Sequence, residues 1–236
     1  LSRLDVMTAA HLNGSASLIA LKPNPSQIYR VRLLPKELED AGFNEAADQW
    51  AVIKGLLLLK GVPEHLLADG HHVTAYDLQL FGDGWLPKEN SHMTVIKGDI
   101  RDEKALAKAS EGQQAMIYLA GLTNNDLCLA KPTVADHINK QAFPQVLSIA
   151  KKAGIERFIL ASSVAAYGSS DLELREDEPL MPTTPYGTSK DFCEKWATLN
   201  RDPDFCVTVT RSASVCGMSS RMRFDTTVNK MVHDAM

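Results

Sequence analysis

From about residue 56 onward, short runs of apolar and β-branched residues alternate with longer stretches of helical pattern. The runs are GLLLLK (55–60), HHVTAYD, HMTVIKGD, AMIYLAG, RFILASS and FCVTVTR, and the helical stretches fall at 63–69, 102–110, 134–153, 186–199 and 224–236. This rhythm belongs to βαβ units and a parallel sheet. Several runs are apolar at nearly every position, as strands must be when helices cover both faces of their sheet, so the pattern selects a doubly wound α/β sheet over an antiparallel one. A chain of 236 residues accommodates one such domain with an appendage.

Residues 1–50 do not join the rhythm. They mix turn formers with two short strand-like runs and a helical stretch opened by Pro35, and they are read as an N-terminal extension of undisclosed role, with the α/β domain spanning 51–236. Inside the helical stretch 134–153, Pro144 predicts a kink or a helix boundary, at a cost of about 3 kcal/mol if neither is provided.

A formal charge of -4, with basic residues scattered along the chain, gives no reason to expect a nucleic-acid or anionic-membrane partner. No apolar run approaches the roughly 18 residues of a membrane span. Cys128, Cys193, Cys206 and Cys216 lack metal-type spacing, so reduced thiols and no bound metal are expected. The opening residues lack the basic, apolar, small-residue order of a secretory signal, and the chain starts with leucine. The expectation is a cytoplasmic protein whose true start lies upstream.

In an open parallel sheet ligands sit beyond the carboxyl ends of the strands, so the residues that close each apolar run matter most. VTAYD closes on Asp77, a carboxylate suited to a ribose diol and repulsive to a 2′-phosphate. IKGDIRD places Asp99 and Ile100 where they could hold an adenine by its amino group and one face. IYLAG ends in Leu119, Ala120 and Gly121, the last two small enough for a cofactor to approach the backbone. ILASSVAAYG supplies Ala161, then the hydroxyls of Ser162 and Ser163, whose plain alternative is strand-end packing. One acid after a strand is ordinarily a cap or turn residue; several suitable groups in order along one edge point to a common site.

Tyr186 and Lys190 stand four apart in TPYGTSK, at the start of a helical stretch. Alone, such a pair is ordinarily a solvated lysine beside a half-buried ring. Taken with SSVAAYG, RSASVCGMSSRMRFDTTVN, YLAGLTNND, DHINKQ and VTAYD, it resembles the extended short-chain dehydrogenase/reductase superfamily, in particular its NAD-dependent epimerase/dehydratase branch acting on nucleotide-linked sugars. The resemblance implies a Rossmann-type NAD-binding domain running into a substrate lobe that the sequence leaves incomplete. It implies that Tyr186 exchanges a proton with the substrate, that Lys190 lowers the phenol's pKa from near 10 and binds the nicotinamide ribose, and that Ser163 holds the reacting oxygen. Cofactor contacts would come from Gly61, Asp77, Asp99, Ile100, Leu119, Ala120, Gly121, Asn139, Ala161, Tyr186 and Lys190. Substrate contacts would come from Thr123, Ser163, Ser214 and Asn229. NAD is expected over NADP because of Asp77, and a homodimer formed through two helices is implied.

The pattern also departs from that family. The expected Gly-x-x-Gly-x-x-Gly turn after the first strand is missing, because LLLLKG runs directly into VPEHLLADGHHV. Gly61 to Asp77 spans 16 positions (77 − 61), against roughly 20 between glycine turn and acid. Either residues belonging between Gly61 and Val62 are missing from this sequence and the cofactor loop exists, or the loop is lost and the chain is a non-catalytic binding or scaffold subunit with the same fold. The intact chemistry residues favour the first. Ser214 stands where the family commonly has an asparagine, and Arg221, Arg223 and Asn229 lead toward the missing lobe. A reductase acting on a small carbonyl compound would share Tyr186 and Lys190.

Overall fold

The structure, a computed structural model, describes residues 62–79, 86, 90–123, 125–171, 173–213 and 227–235. The expected strand GLLLLK, the 1–50 extension and the Gly61 junction lie outside the described residues. The described elements are α1 (Val62–Ala68), β1 (Val73–Asp77), β2 (Met93–Lys97), α2 (Glu103–Ser110), β3 (Ala115–Tyr118), α3 (Asn125–Ala130), α4 (Pro132–Asp136), a π turn (His137–Gln141), α5 (Ala142–Lys152), β4 (Arg157–Ser163), a 3-10 turn (Val164–Ala166), α6 (Pro185–Leu199), β5 (Cys206–Ser212) and α7 (Thr227–Asp234).

All strand pairings among the described residues are parallel. β1 lies beside β2, with Val73 opposite Met93 and Asp77 opposite Lys97. β4 lies between β3 and β5, with Tyr118 opposite Leu160 and Ser163 opposite Ser212. This register brings Leu119–Gly121, Ala161–Ser163 and Ser212 to one edge of the three-stranded sheet. The result is the Rossmann-like α/β arrangement that the alternating pattern predicts.

The near-continuous apolar strands are explained by their two covered faces. Tyr118 of β3 packs with Phe158 and Leu160 of β4, Phe143, Val146, Leu147 and Ala150 of α5, and Cys193 and Ala197 of α6. Ile117, one residue away and so pointing oppositely, packs on Val62 and Leu66 of α1. An aromatic chain threads the first face: Tyr118 meets Phe143 edge-on at 5.2 Å, Phe143 meets Phe158 at 5.9 Å, and Phe158 meets Phe205 at 5.9 Å. Rings in this geometry contribute about 0.5–1.5 kcal/mol per pair beyond their area burial.

The kink predicted at Pro144 takes the form of the π turn. Pro144 is the third residue of α5 and has no N–H, so the carbonyls four and five residues behind it, those of Lys140 and Asn139, lose a helical donor. The wider turn falls at that loss: the Ala142 N–H reaches the His137 carbonyl five residues back, and the Asn139 carbonyl accepts the Cys193 thiol of α6 at 3.2 Å. The short helix α3 and the 3-10 turn after Ser163 carry too few periodic residues to have been legible beforehand.

Candidate active site

The sequence TPYGTSK folds as a capped helix start. Thr184 is the N-cap of α6, its hydroxyl accepting the Gly187 N–H at 3.1 Å and its carbonyl accepting the Thr188 N–H at 2.9 Å. Pro185 takes the first helical position, where its missing N–H costs nothing. Tyr186 therefore sits in the first turn and Lys190 one turn further on. Gly187 lets this turn approach the chain after β4, since a Cβ there would lie 2.3 Å from the Ala165 carbonyl oxygen. Ala165 in turn donates its N–H to Ser163 Oγ at 3.2 Å. The helix start and the tip of β4 are thus held against each other, with Ser163 and Tyr186 on the two sides of the contact.

Lys190 is buried, only 6% exposed. Its ammonium donates to the Ala161 carbonyl at 2.7 Å and lies 5.5 Å from the centre of the Tyr186 ring. Burial lowers its pKa from the ordinary lysine value, while the neighbouring Cys193 and Glu194 act in the opposite sense.

Behind the lysine lies a network that sequence reasoning missed. Glu194, the next residue along this face of α6, has its carboxylate almost fully enclosed: side-chain exposure is 2% for Glu194 and 8% for its partner Arg211 of β5. Arg211 Nε donates to both carboxylate oxygens at 3.2 and 3.0 Å, and its Nη2 donates to Oε2 at 2.8 Å. Ser162 donates its hydroxyl to Glu194 Oε1. Arg211 Nη1 donates to the Tyr167 hydroxyl at 2.9 Å and to the Glu176 carbonyl at 3.0 Å. The available signal was spacing: Glu194 follows Lys190 by four, on the same helical face.

At the tip of β3, Asn139 acts on the backbone. Its carboxamide, within the π turn and 7% exposed, accepts the Leu122 N–H at 2.8 Å and donates to the Leu122 carbonyl at 2.9 Å. Gly121 has φ +153°, and a Cβ on it would stand 3.1 Å from Asn139 Oδ1, so the loop needs glycine there.

The other predicted residues are placed as follows. Asp77 is exposed at the end of β1 and accepts the Gln79 N–H at 2.6 Å through Oδ1. Asp99 is clamped by Arg101, whose Nε lies 2.9 and 3.1 Å from its two carboxylate oxygens; this hydrogen bonding holds the Asp99 carboxyl below its ordinary range. Ile100 and Ala120 pack against the main core, and Leu119 is exposed. Thr123 is exposed, whereas Asn229 is buried on α7. Gly61, Ser214, Arg221 and Arg223 lie outside the described residues. Among the described residues no cluster of three or more histidine, cysteine or acidic side chains could hold a metal, and no helix is long and apolar enough to cross a membrane.

The sequence model of the NAD dependent epimerase/dehydratase family matches residues 60–236. An N-acetyl-alpha-D-glucosaminyl-diphospho-ditrans,octacis-undecaprenol 4-epimerase of Escherichia coli O157:H7 is 32% identical over 146 residues, 58% of this chain and 42% of that protein. The dTDP-D-glucose 4,6-dehydratase of Mus musculus is 31% identical over 126 residues, covering 52% of this chain and 36% of that protein. A double mutant of the dTDP-glucose 4,6-dehydratase DesIV from Streptomyces venezuelae, solved with NAD bound, superimposes with a TM-score of 0.65 at 25% identity, over 73% of this chain and 56% of that one. The matched region thus spans only about two fifths of the curated relatives' length, as their 42% and 36% coverage states.

Proposed function

The chain belongs to the NAD dependent epimerase/dehydratase family, and from that membership we propose that it binds NAD at the tips of its parallel strands and performs hydride-transfer chemistry on a sugar linked through a diphosphate to its carrier. The observation that carries this reading is the buried Lys190 ammonium, which donates to the Ala161 carbonyl at the tip of β4 and lies 5.5 Å from the centre of the Tyr186 ring. The relatives reported above act on dTDP-glucose or on a diphospho-linked N-acetylglucosamine, which supports the substrate class.

The described residues fit a dinucleotide. Asp77 keeps a second carboxylate oxygen for a ribose diol after Oδ1 has taken Gln79, and Gly121 presents only backbone at the β3 tip, the space a side chain would fill being taken by the Asn139 carboxamide. Bound NAD would supply the hydride acceptor and donor. Tyr186 would remove and return the proton of the sugar hydroxyl, helped by the neighbouring ammonium, which favours the phenolate. Ser163 Oγ already accepts from Ala165, and its own hydrogen can go to the reacting oxygen. Asp99, held in place by Arg101, keeps acceptor capacity for the adenine amino group, and Ile100 would cover one face of the base. Asn139 acts through Leu122 by fixing the β3 loop. The protein works in the cytoplasm as a homodimer formed through two helices, for which the exposed Leu129 of α3 and Trp196 and Leu199 of α6 offer apolar surface.

Native mass spectrometry of the purified protein tests the cofactor, and incubation with UDP- and dTDP-hexoses followed by mass analysis of the sugar tests the reaction. A retained or titratable NAD and an epimerised, dehydrated or oxidised sugar are expected. Absence of any NAD binding would instead favour a scaffold subunit, in keeping with the missing glycine-rich turn.

A further inference from the structure

Glu194 and Arg211 form a buried ion pair directly behind the candidate catalytic residues, and its connections are more specific than a core needs. The pair joins three elements. Glu194 is one turn beyond Lys190 on α6, Ser162 immediately precedes Ser163 on β4, and Arg211 stands opposite Ser162 in the β4–β5 register. One carboxylate receives the Ser162 hydroxyl and the Arg211 fork, while the other side of the guanidinium holds Tyr167 and the Glu176 carbonyl, with its carbon 4.8 Å from the Tyr167 ring centre. Buried pairs contribute little net stability, because desolvation offsets their attraction and apolar residues of similar volume commonly replace them without loss. What a forked, fully satisfied pair supplies is direction: the planar guanidinium accepts a carboxylate in few orientations.

We propose that Glu194 and Arg211 are positioning residues that fix the rotation of α6 against the tip of β4, and so hold Tyr186 and Lys190 opposite Ser163. Apart from this pair and its apolar packing, α6 is tied by the Cys193 thiol on Asn139 and the Lys190 ammonium on Ala161, single hydrogen bonds about which a helix can turn by part of a residue with little change in buried area. Anchoring Glu194 to Ser162 removes that freedom one turn away from Lys190. The inference rests on the reading of Tyr186 as the proton-transferring group.

The test is a pH titration of the full chain carrying ring-13C tyrosine, without added ligand. Among five tyrosines, the signal missing from Tyr186→Phe identifies the phenol of interest. In the wild-type protein it is expected to titrate below the free-phenol value near 10 because of Lys190. The double variant Glu194→Met/Arg211→Met removes one charge of each sign, so net charge is conserved, and a displaced Lys190 is expected to raise the Tyr186 value by at least about half a unit. Thermal unfolding reports whether that variant is folded; if it is not, Ser162→Ala gives the decision, with a smaller upward shift expected. A depressed wild-type value that stays unchanged in the folded variant overturns the positioning role alone. A wild-type phenol titrating as a free one overturns the proton-transfer reading, and the inference with it.

Discussion

The Lys190 ammonium donates to the Ala161 carbonyl across 2.7 Å while lying 5.5 Å from the centre of the Tyr186 ring. One buried cation thus joins the first turn of a helix to the tip of a strand, and its position follows from short-range rules: a threonine cap, a proline in the first turn, and a lysine one turn after the tyrosine.

That cation sets a pH dependence. Burial penalises the charged form, so Lys190 gives up its proton at lower pH than an exposed lysine. Phenolate support then fades early on the alkaline side, and kcat/KM with a diphospho-sugar substrate is expected to fall below the ordinary lysine value of about 10.4. Lys190→Arg, which stays charged, is expected to remove this limb while lowering the plateau. For stability the sign is the reverse: with the folded pKa below the unfolded one, the unfolded chain binds more protons in that window, and this group makes folding more favourable as pH rises through it. An alkaline limb that survives Lys190→Arg unchanged rules out the lysine as its source.

Tyr186→Phe removes only the phenolic oxygen from a half-buried ring. Turnover is expected to fall by about 10²–10⁴, the usual contribution of a positioned acid/base, with NAD affinity and melting temperature close to wild type. Steady-state rates beside a calorimetric NAD titration check this. A joint loss of affinity and rate would assign the tyrosine to binding.

Asn139→Ala leaves the Leu122 N–H and C=O without the partners that now hold them at 2.8 and 2.9 Å. The Leu122 carbonyl keeps the Cys128 thiol at 3.5 Å, so the loss is chiefly one stranded, partly buried N–H, about 1–2 kcal/mol, or roughly 4 °C in Tm for a chain of this size. NAD affinity should weaken as well, because the loosened loop carries Gly121. Asn139→Asp should do no better, since a carboxylate oxygen would then face the Leu122 carbonyl. Differential scanning fluorimetry decides; an unchanged Tm for both variants removes Asn139 from the loop's support.

The difference between what the sequence disclosed and what it concealed follows from range. The strand-end places of Asp77 and Ala161 and the one-turn spacing of Tyr186 and Lys190 were readable because each depends on a strand end or one helical turn. Strands apolar at nearly every position announced the covered sheet, as Ile117 and Tyr118 facing opposite helices explain. Glu194 and Arg211 were hidden because a glutamate four beyond a lysine ordinarily marks a solvated face, and only the pairing of β4 with β5 brings Arg211 to it. Pro144 signalled a disturbance, but its form involves Cys193, 49 residues further along the chain (193 − 144), whose thiol donates to the Asn139 carbonyl.

Thiol chemistry probes that same contact. Burial pushes the Cys193 thiol up to about 12, with Lys190 acting in the opposite sense, and its hydrogen is committed to Asn139. At pH 8 the native protein is expected to leave Cys193 and the buried Cys128 unlabelled by a disulfide reagent over minutes, with labelling appearing as denaturant unfolds the chain. Mass spectrometry of digested samples locates the label. Rapid native labelling of Cys193 would mean that α6 does not pack on the π turn as described.

The outer face of α6 bears on assembly. Leu199 is 79% exposed and Leu129 of α3 64% exposed, while Phe192 and Trp196 stack at 5.9 Å beside the Lys140 ammonium. Large apolar groups gathered on packed helices are what a dimer face requires. Leu199→Lys places a charge on that face without touching the buried side of the helix, where Cys193 and Ala197 lie. Light scattering coupled to size exclusion should show the wild type at twice its chain mass and Leu199→Lys shifted to the monomer, with an unchanged melting profile at matched low concentration. A wild type that runs as a monomer throughout would leave these side chains as scattered surface apolar residues, which monomeric proteins carry in any case.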